Sequence, residues 1–201
     1  MSRTRLTILF FHAMIKIIPY QSRWPHEFQM IAARLREGMG ELALRIDHIG
    51  STSVPGLDAK DNIDVQITVA ALDERVITAL RALGYSQPEG RWRDHRPPTA
   101  SGPEADWEKL YFHEPDGSRR SNTHVRQHGR ANQRYALLFR DYLRAHPASA
   151  EAYARLKRAL AQHLADFTQY PEVKDPAVDL IYFAAEAWAS ATDWRPGPSD
   201  A

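Results

Sequence analysis

Apolar and polar positions alternate along two neighbouring stretches of the chain. Residues 42–49 and 63–69 are rich in Leu, Ile and Val with polar residues between them, and Ser, Pro and Gly turn residues separate the two stretches. Alternation of this kind is typical of half-buried β-strands. We therefore expect residues 42–49 and 63–69 to be neighbouring strands of one sheet.

The second of these strands has two chemically different faces. Successive strand residues point to opposite sides of a sheet. The apolar face carries Ile63, Val65 and Ile67. The opposite face carries Asn62, Asp64 and Gln66. A buried apolar face opposite a polar face with a carboxylate is what a site-bearing strand requires.

The remaining elements are predicted by helical spacing and by turn residues. Pro115-Asp-Gly117 predicts a turn between two further strands at 110–113 and 122–125. The polar, proline-containing stretch 87–102 predicts a surface loop. Apolar residues at helical spacing predict helices over 22–37, 73–83, 132–145, 149–168 and 176–191.

This order of elements predicts the fold class. Strands that alternate with helices, followed by a helical C-terminal part, indicate an α+β domain with α/β-like character, in which helices flank one small mixed sheet. We expect a single domain over residues 14–191. Residues 1–13 are expected to carry no function, because Met14 opens a cleaner amphipathic segment and is an alternative start. Residues 192–201 are expected to form a frayed tail.

Composition narrows the classes of function. The chain has 201 residues with 43% hydrophobic and 25% charged residues and no apolar run long enough to span a bilayer, which indicates a soluble protein. It has no cysteine, which excludes disulfides and thiolate chemistry and suits the cytoplasm. The 26 basic and 25 acidic residues leave a net charge of +1, which argues against nucleic acid as a partner.

The turn after the first strand carries the candidate chemistry. Gly50 lets a phosphate approach the backbone, and Ser51, Thr52 and Ser53 add three hydroxyl groups. Asp64 follows on the next strand and could hold a metal ion at a reacting phosphorus. An ordinary turn and a solvated acid are the alternative interpretation of this pattern.

The run His48-Ile-Gly-Ser-Thr-Ser-Val-Pro-Gly-Leu57, together with Asp64, resembles the GrpB family, an uncharacterised branch of the nucleotidyltransferase superfamily. The resemblance extends over residues 14–188. The other segments that carry it lie at residues 20–28, 83–85, 139–147 and 153–157.

The resemblance implies a nucleotidyltransferase fold. It also implies that Gly50 and Ser51 lie near a nucleoside triphosphate and that Asp64 binds Mg²⁺ or Mn²⁺. Such sites carry an Asp-x-Asp or Asp-x-Glu pair, whereas this chain has Gln66 at the second position, which offers a neutral carbonyl oxygen. The resemblance also implies a His-x-His pattern on the later strand, of which this chain has only His124. His124 could contact phosphate or act as a proton shuttle.

Basic residues near these elements are candidate phosphate ligands. We expect Lys60 and Arg126 to contact phosphate, and Arg119 and Arg120 are weaker candidates that would also suit a solvated hairpin tip. His48 is a further candidate for the phosphate site, and a purely structural role is the alternative.

Two functions follow from the resemblance. The first is metal-dependent transfer of a nucleotidyl group from a nucleoside triphosphate to an unidentified acceptor, with Asp64, Gln66 and His124 as catalytic residues. The alternative is a weakened relative that binds a nucleotide or a coenzyme A-type phosphate as a sensor or accessory protein. GrpB-like domains occur fused to dephospho-CoA kinase, but this chain has no G-x-x-x-x-G-K-[ST] phosphate loop.

Overall fold

The computed structural model describes residues 15–90 and 92–201. The expectation that residues 1–13 are a non-functional extension lies outside these residues. None of the described helices is long and apolar enough to cross a membrane.

In the part of the chain that the structure describes, five strands form one mixed sheet. They are β1 (Arg45–Ile49), β2 (Ile63–Val69), β3 (Trp92–Arg93), β4 (Glu108–His113) and β5 (Ser121–Gln127). Their order across the sheet is β1-β2-β5-β4-β3. Strands β2 and β5 run parallel, and all other neighbours are antiparallel.

Within the described residues, five α-helices flank this sheet. They are α1 (Trp24–Met39), α2 (Glu74–Ala82), α3 (Ala131–Ala145), α4 (Pro147–His163) and α5 (Tyr170–Thr192). The α+β class with a mixed sheet is therefore confirmed. Helix α2 begins where its sequence indicates, because the Asp73 side chain caps it by accepting hydrogen bonds from the backbone of Arg75 and Val76.

The apolar face of the sheet packs against α1 and α2. Ile63, Val65 and Ile67 have no exposed surface, as their alternation predicts. They join a core cluster that includes Phe28 of α1 and Leu80 of α2. Burial of this apolar area holds the two helices on one side of the sheet.

A second core lies within the last three helices. Leu138 of α3, Tyr153 of α4 and Ala185 of α5 pack together with Val54 and Leu57 from the segment that follows β1. Arg140 of α3 donates a hydrogen bond to the His48 carbonyl oxygen at 3.1 Å, which ties this helical part to the sheet. The polar face of the sheet thus meets the helical part.

Several boundaries differ from the sequence-based expectations. Strand β1 starts at Arg45 because residues 40–42 form a turn of 3-10 helix. Helix α4 ends at His163, whereas the pattern predicted 168. Helix α5 begins at Tyr170, ahead of the predicted 176, since Pro171 lies in its first turn, where a missing N–H costs little.

The expected surface loop at 87–102 contains strand β3, which pairs with β4. Asp94, the residue after this strand, accepts hydrogen bonds from Lys109 and Arg126 at the sheet. The prediction of a plain surface loop is therefore wrong at this position, because the charges that hold Asp94 in place come from strands β4 and β5.

The C-terminal segment also differs from the expected frayed tail. The Ser199 hydroxyl accepts a hydrogen bond from the Ile46 N–H, and the Ala201 N–H donates to the Ile46 carbonyl oxygen. Asp200 pairs with Arg140 at 2.7 Å. These contacts lay the last residues along β1, an edge strand with free backbone groups to offer.

Candidate functional site

The turn after β1 is shaped by Gly50. Its φ of 68° lies in the left-handed region that favours glycine. A Cβ atom placed on Gly50 would lie 2.3 Å from the Asp64 Oδ2 atom. Only glycine therefore permits both this backbone conformation and the contact between the turn and the carboxylate on β2.

Three hydroxyl groups follow Gly50, and they have different partners. The Ser53 hydroxyl donates to the Gly50 carbonyl oxygen at 2.6 Å and stabilises the turn. The Thr52 hydroxyl is hydrogen-bonded to the His48 Nε2 atom at 3.0 Å. The Ser51 Oγ atom accepts a hydrogen bond from the Lys157 Nζ atom at 2.8 Å. Ser51 is thus the hydroxyl that connects the turn to α4.

His48 belongs to the core. Its ring stacks on Phe28 with ring centres 4.7 Å apart. Burial, followed by the nearby charges of Arg144 and Arg140, lowers the pKa of His48 to about 3. A neutral imidazole that stacks on Phe28 and bonds Thr52 serves the structure of the turn.

The pairing of β2 with β5 fixes the position of Asp64. Asn122 lies beside Asp64 on β5, and its Nδ2 atom donates to the Asp64 Oδ1 atom at 2.8 Å. The Tyr111 hydroxyl donates to the Asn122 Oδ1 atom at 2.6 Å. Burial raises the pKa of Asp64, while the Asn122 hydrogen bond and the charge of Lys174 act in the opposite direction.

Gln66 is committed to a different network. It has no exposed surface. Its Nε2 atom donates to the Gln133 carbonyl oxygen at 3.2 Å, and its Oε1 atom accepts from the Arg126 Nη1 atom at 2.6 Å. The carbonyl oxygen that the sequence offered as a weak metal ligand is therefore bonded to a guanidinium group.

Asp94 organises the cations beside Gln66. Its carboxylate accepts from the Arg126 Nε and Nη2 atoms at 2.7 and 2.8 Å, from Lys109 Nζ at 2.7 Å and from Asn132 Nδ2 at 3.0 Å. Burial opposes the charged form, but Arg126 and Lys109 hold the pKa of Asp94 far below its usual range. Asp94 is thus a permanent anion at this site.

His124 completes this network. Its Nδ1 atom lies 3.1 Å from the Lys109 Nζ atom. Burial, together with the charges of Lys109 and Arg126, places the pKa of His124 well below its usual range. His124 is therefore neutral at pH 7 and can accept a hydrogen bond from Lys109.

Three further lysines surround the turn. Lys157 of α4 donates to Ser51 and to the Asp58 carbonyl oxygen. The Lys60 Nζ atom lies 4.2 Å from the centre of the Tyr170 ring, and Lys174 projects from α5. Burial is the first cause that lowers the pKa of all three amines, and for Lys60 and Lys157 the charge of Lys174 is the second.

These groups line one cavity of about 550 Å³ between the sheet and the last three helices. This volume lies within the range of roughly 300–1,000 Å³ that small-ligand sites occupy. The polar lining comprises Gly50, Ser51, Thr52, Lys60, Asn62, Asp64, Asp94, Lys109, Asn122, His124, Arg126, Lys157, Lys174 and Asp175. The aromatic lining comprises Tyr135, Phe139, Tyr153 and Tyr170.

Most of the residues proposed from the sequence meet at this cavity. Its lining includes Gly50, Ser51, Thr52, Lys60, Asp64, His124 and Arg126, but Ser53 and Gln66 lie behind it. Arg119 is bonded elsewhere, to Glu27 at 2.8 Å and to Asp61.

Sequence reasoning missed Asp94, Lys109 and Lys174 as residues that line this cavity. Lys157 falls within the segment 153–157 that resembles the family, but the sequence holds no signal that places it beside Ser51. Among residues 15–90 and 92–201, no group of three or more His, Asp or Glu side chains could hold a metal ion.

Comparisons with known proteins place the chain in a family. Residues 14–183 match the family model described as GrpB protein. The structure of conserved protein GrpB from Enterococcus faecalis superposes with a TM-score of 0.68 and 30% identity, and the match covers 86% of this chain and 99% of that one.

Curated relatives carry two kinds of name. A UPF0157 protein of Halalkalibacterium halodurans is 35% identical, over 88% of this chain and 85% of its own length. A protein of Mycolicibacterium paratuberculosis named dephospho-CoA kinase is 38% identical over 92% of this chain and 49% of its own. This chain thus spans about half the length of the relatives named dephospho-CoA kinase. By family model, sequence and structure, the chain belongs to the GrpB family.

Proposed function

We propose that the cavity binds a nucleoside triphosphate or a related phosphate ester, with its phosphates between the Gly50-Ser51 turn and the lysines. The observation that carries this proposal is the excess of cations at the cavity. Lys60, Lys157 and Lys174 all line it. In the described part of the chain, none of the three forms an ion pair with a carboxylate within 4.0 Å.

A ligand with several negative charges would satisfy these amines. Burial lowers the pKa of all three amines, and the charge of Lys174 lowers the pKa of Lys60 and of Lys157 further, so their charged forms lack a compensating partner. A phosphate group placed among them would supply the missing opposite charge and accept several hydrogen bonds. The aromatic rings of Tyr135, Phe139, Tyr153 and Tyr170 would contact the uncharged part of such a ligand.

The donor set does not fit the metal site that the sequence-based hypothesis placed at Asp64, with Gln66 as a weak second ligand. Gln66 is bonded to Arg126, and Asp94 is bonded to Arg126 and Lys109. Asp64 is left as the acid beside the turn, with cationic neighbours that would repel Mg²⁺. The proposal therefore places no metal ion in the site, and binding is expected to be independent of Mg²⁺.

Transfer of a nucleotidyl group is the second candidate, and one observation favours it. The Asp64 carboxylate lies against Gly50, where the phosphates would sit, and burial raises its pKa. A carboxylate with a raised pKa can accept a proton from an acceptor hydroxyl group. Transfer would require an acceptor, which would be identified by mass analysis of products.

Calorimetric titration tests the binding proposal. We would titrate the protein with ATP, GTP, CTP, UTP, inorganic triphosphate and dephospho-CoA, each with Mg²⁺ and with EDTA. Dephospho-CoA is included because several relatives are named dephospho-CoA kinase. We expect at least one of these ligands to bind equally well under both conditions.

A variant pair tests whether the lysines are responsible. Lys174→Met should weaken binding at least tenfold, since a close charge pair in a partly desolvated site contributes about 1.4 kcal/mol or more. Arg81→Met is the matched control, because Arg81 is exposed on α2 at the opposite side of the sheet. The proposal is wrong if no phosphate ligand binds, or if both variants bind as the unmodified protein does.

A further inference from the structure

Ser51 is set apart from the two hydroxyls that follow it. The Thr52 and Ser53 hydroxyls are engaged by His48 and by the Gly50 carbonyl oxygen. The Ser51 Oγ atom lines the cavity, and its partner is the Lys157 Nζ atom at 2.8 Å. Ser51 and Thr52 both line the cavity, but of these two hydroxyl groups it is Ser51 whose partner is an amine, since Thr52 bonds to His48.

The surroundings of Lys157 suit a neutral amine. Its side chain is only 3% exposed. A carbonyl oxygen can only accept a hydrogen bond, so Nζ must donate to Asp58, whereas a serine hydroxyl can donate to Nζ. In the structure Nζ donates to both oxygen atoms, and a neutral amine could keep its bond to Asp58 and accept the Ser51 proton across the same 2.8 Å contact.

The charges around Lys157 agree with this assignment. Burial and the charge of Lys174 lower the pKa of Lys157 to about 7, with a smaller effect of Arg158 in the same direction, against the raising effects of Asp58 and Asp64. A pKa near 7 makes the neutral amine accessible at neutral pH, whereas an ordinary lysine with a pKa of 10.5 is almost fully charged.

We propose that Ser51 is a nucleophile and that Lys157 is its general base, so that the chain transfers a phosphoryl group from the bound phosphate ligand to water through a phosphoserine. This inference rests on the proposed phosphate site for its substrate. Serine–lysine pairs of this kind activate a hydroxyl group by removing its proton as it attacks.

The first step has a simple balance. The Ser51 Oγ atom attacks the terminal phosphorus of a nucleoside triphosphate, an O–P bond forms, and the bond from that phosphorus to the departing nucleoside diphosphate breaks. The hydroxyl proton passes to Lys157 and then to solvent. Lys60 and Lys174 lie where they can offset the charge on the phosphate oxygens.

The second step returns the serine. A water molecule gives a proton to neutral Lys157, and its oxygen attacks the phosphorus. The bond between Ser51 and phosphorus breaks, and the serine oxygen takes the proton back from Lys157. The sum of both steps is nucleoside triphosphate and water giving nucleoside diphosphate, phosphate and a proton.

A fluorophosphonate probe tests the pair directly, because its phosphorus reacts with an activated serine and releases fluoride. We would incubate the full chain with the probe and locate the adduct by peptide mass spectrometry. We expect the adduct on Ser51, with exposed Ser118 in the same digest as the unlabelled internal control. The labelling rate should rise about tenfold per pH unit and level off above about pH 7.

Variants of Lys157 distinguish a general base from a residue that only binds phosphate. Lys157→Arg keeps the positive charge and the long stem but stays protonated, so labelling of Ser51 should fall about 100-fold. Arg155→Met, an exposed position on the same helix, should label at the unmodified rate. Melting temperatures confirm that each variant is folded.

Two results would overturn the proposal. One is the absence of a Ser51 adduct at pH 8 in protein that is folded. The other is equally fast labelling of Lys157→Arg, which would show that the amine does not act as a base. Because the probe carries no nucleotide, labelled Ser51 without calorimetric binding of any phosphate ligand would overturn the proposed function and leave the reactive pair standing.

Discussion

Gly50 and Asp64 show how closely two elements can approach at one residue. The carboxylate of Asp64 occupies the space that a side chain at residue 50 would need, and the backbone of Gly50 adopts a φ of 68°. The geometry of the turn and the position of the acid therefore depend on each other. A change at either residue should alter both.

Gly50→Ala is expected to destabilise the fold by roughly 3 kcal/mol or more, because it combines backbone strain with a clash. Gly56→Ala is the matched control, since Gly56 has a φ of 79° and a Cβ atom added there would meet no other atom within 4 Å. The control should cost only about 1–2 kcal/mol. Urea unfolding measures both, and equal losses would show that the Asp64 contact is not rigid.

Asp94 is the second residue on which the site depends. It is the shared partner of Arg126 and Lys109, whose side chains are 5% and 10% exposed. Removing one partner of a buried ion pair leaves the others uncompensated. Asp94, from segment 87–102, therefore holds Lys109 of β4 and Arg126 of β5 at the cavity.

Asp94→Asn should reduce the free energy of unfolding by about 3–5 kcal/mol at pH 7. Because the folded pKa of Asp94 lies below the unfolded value of 3.8, its stabilising effect is present above about pH 4 and is lost as the pH falls further. Urea unfolding at pH 7 and pH 3 should show the difference between variant and unmodified protein shrinking in acid. Asp116→Asn, at an exposed turn, is the control, and a difference that does not depend on pH would contradict the assignment.

At the scale of elements, the C-terminal segment covers an exposed edge. Strand β1 lies at one side of the sheet, and the segment after α5 bonds to it through Ser199, Asp200 and Ala201. Asp200 also pairs with Arg140, which is 3% exposed. This short segment thus links the edge of the sheet to α3.

Deletion of residues 197–201 is expected to lower the free energy of unfolding by about 2–4 kcal/mol, because hydrogen bonds to β1 are lost and Arg140 loses its ion pair with Asp200 while it keeps the one with Asp141. Arg195→Ala is the control, since the Arg195 side chain is 78% exposed and should change stability by less than about 0.5 kcal/mol. Thermal and urea unfolding would measure both. A deletion that behaves like the control would mean that the segment does not stabilise the edge.

The elements also show what a sequence can predict. Strand β2 was predicted with its observed bounds, because its alternation records which face is buried. The turn at Gly50 was predicted for a similar reason, since glycine marks a special backbone conformation. Asp94 was not, because its partner Arg126 lies 32 residues away and ion pairing over that distance leaves no periodic pattern.

At the scale of the whole molecule, the cavity lies where two cores meet. One core joins the sheet to α1 and α2, and the other joins α3, α4 and α5. The sheet supplies Asp64 and Arg126, whereas α4 and α5 supply Lys157 and Lys174. The cations therefore cluster at the cavity only in the folded molecule, which is why the net charge of +1 gave no sign of the cluster.

This arrangement predicts that ligand binding is coupled to proton uptake. Lys60, Lys157 and Lys174 have lowered pKa values, and a bound phosphate would raise them by favouring the charged amines. Lys157, with a pKa of about 7, should contribute most near neutral pH. Affinity should therefore fall as the pH rises from about 6.5 to about 9.

Calorimetric titration in two buffers with different ionisation enthalpies measures this uptake. We expect the apparent binding enthalpies to differ at pH 8 and the difference to shrink in Lys157→Arg, whose guanidinium is already charged. Identical enthalpies in both buffers would show that the amines are charged before the ligand arrives. Tight binding favours a charged Lys157, whereas a general base must be neutral. Turnover by Ser51 and Lys157 should therefore be greatest at an intermediate pH, low enough for the ligand to bind and high enough for part of Lys157 to be neutral.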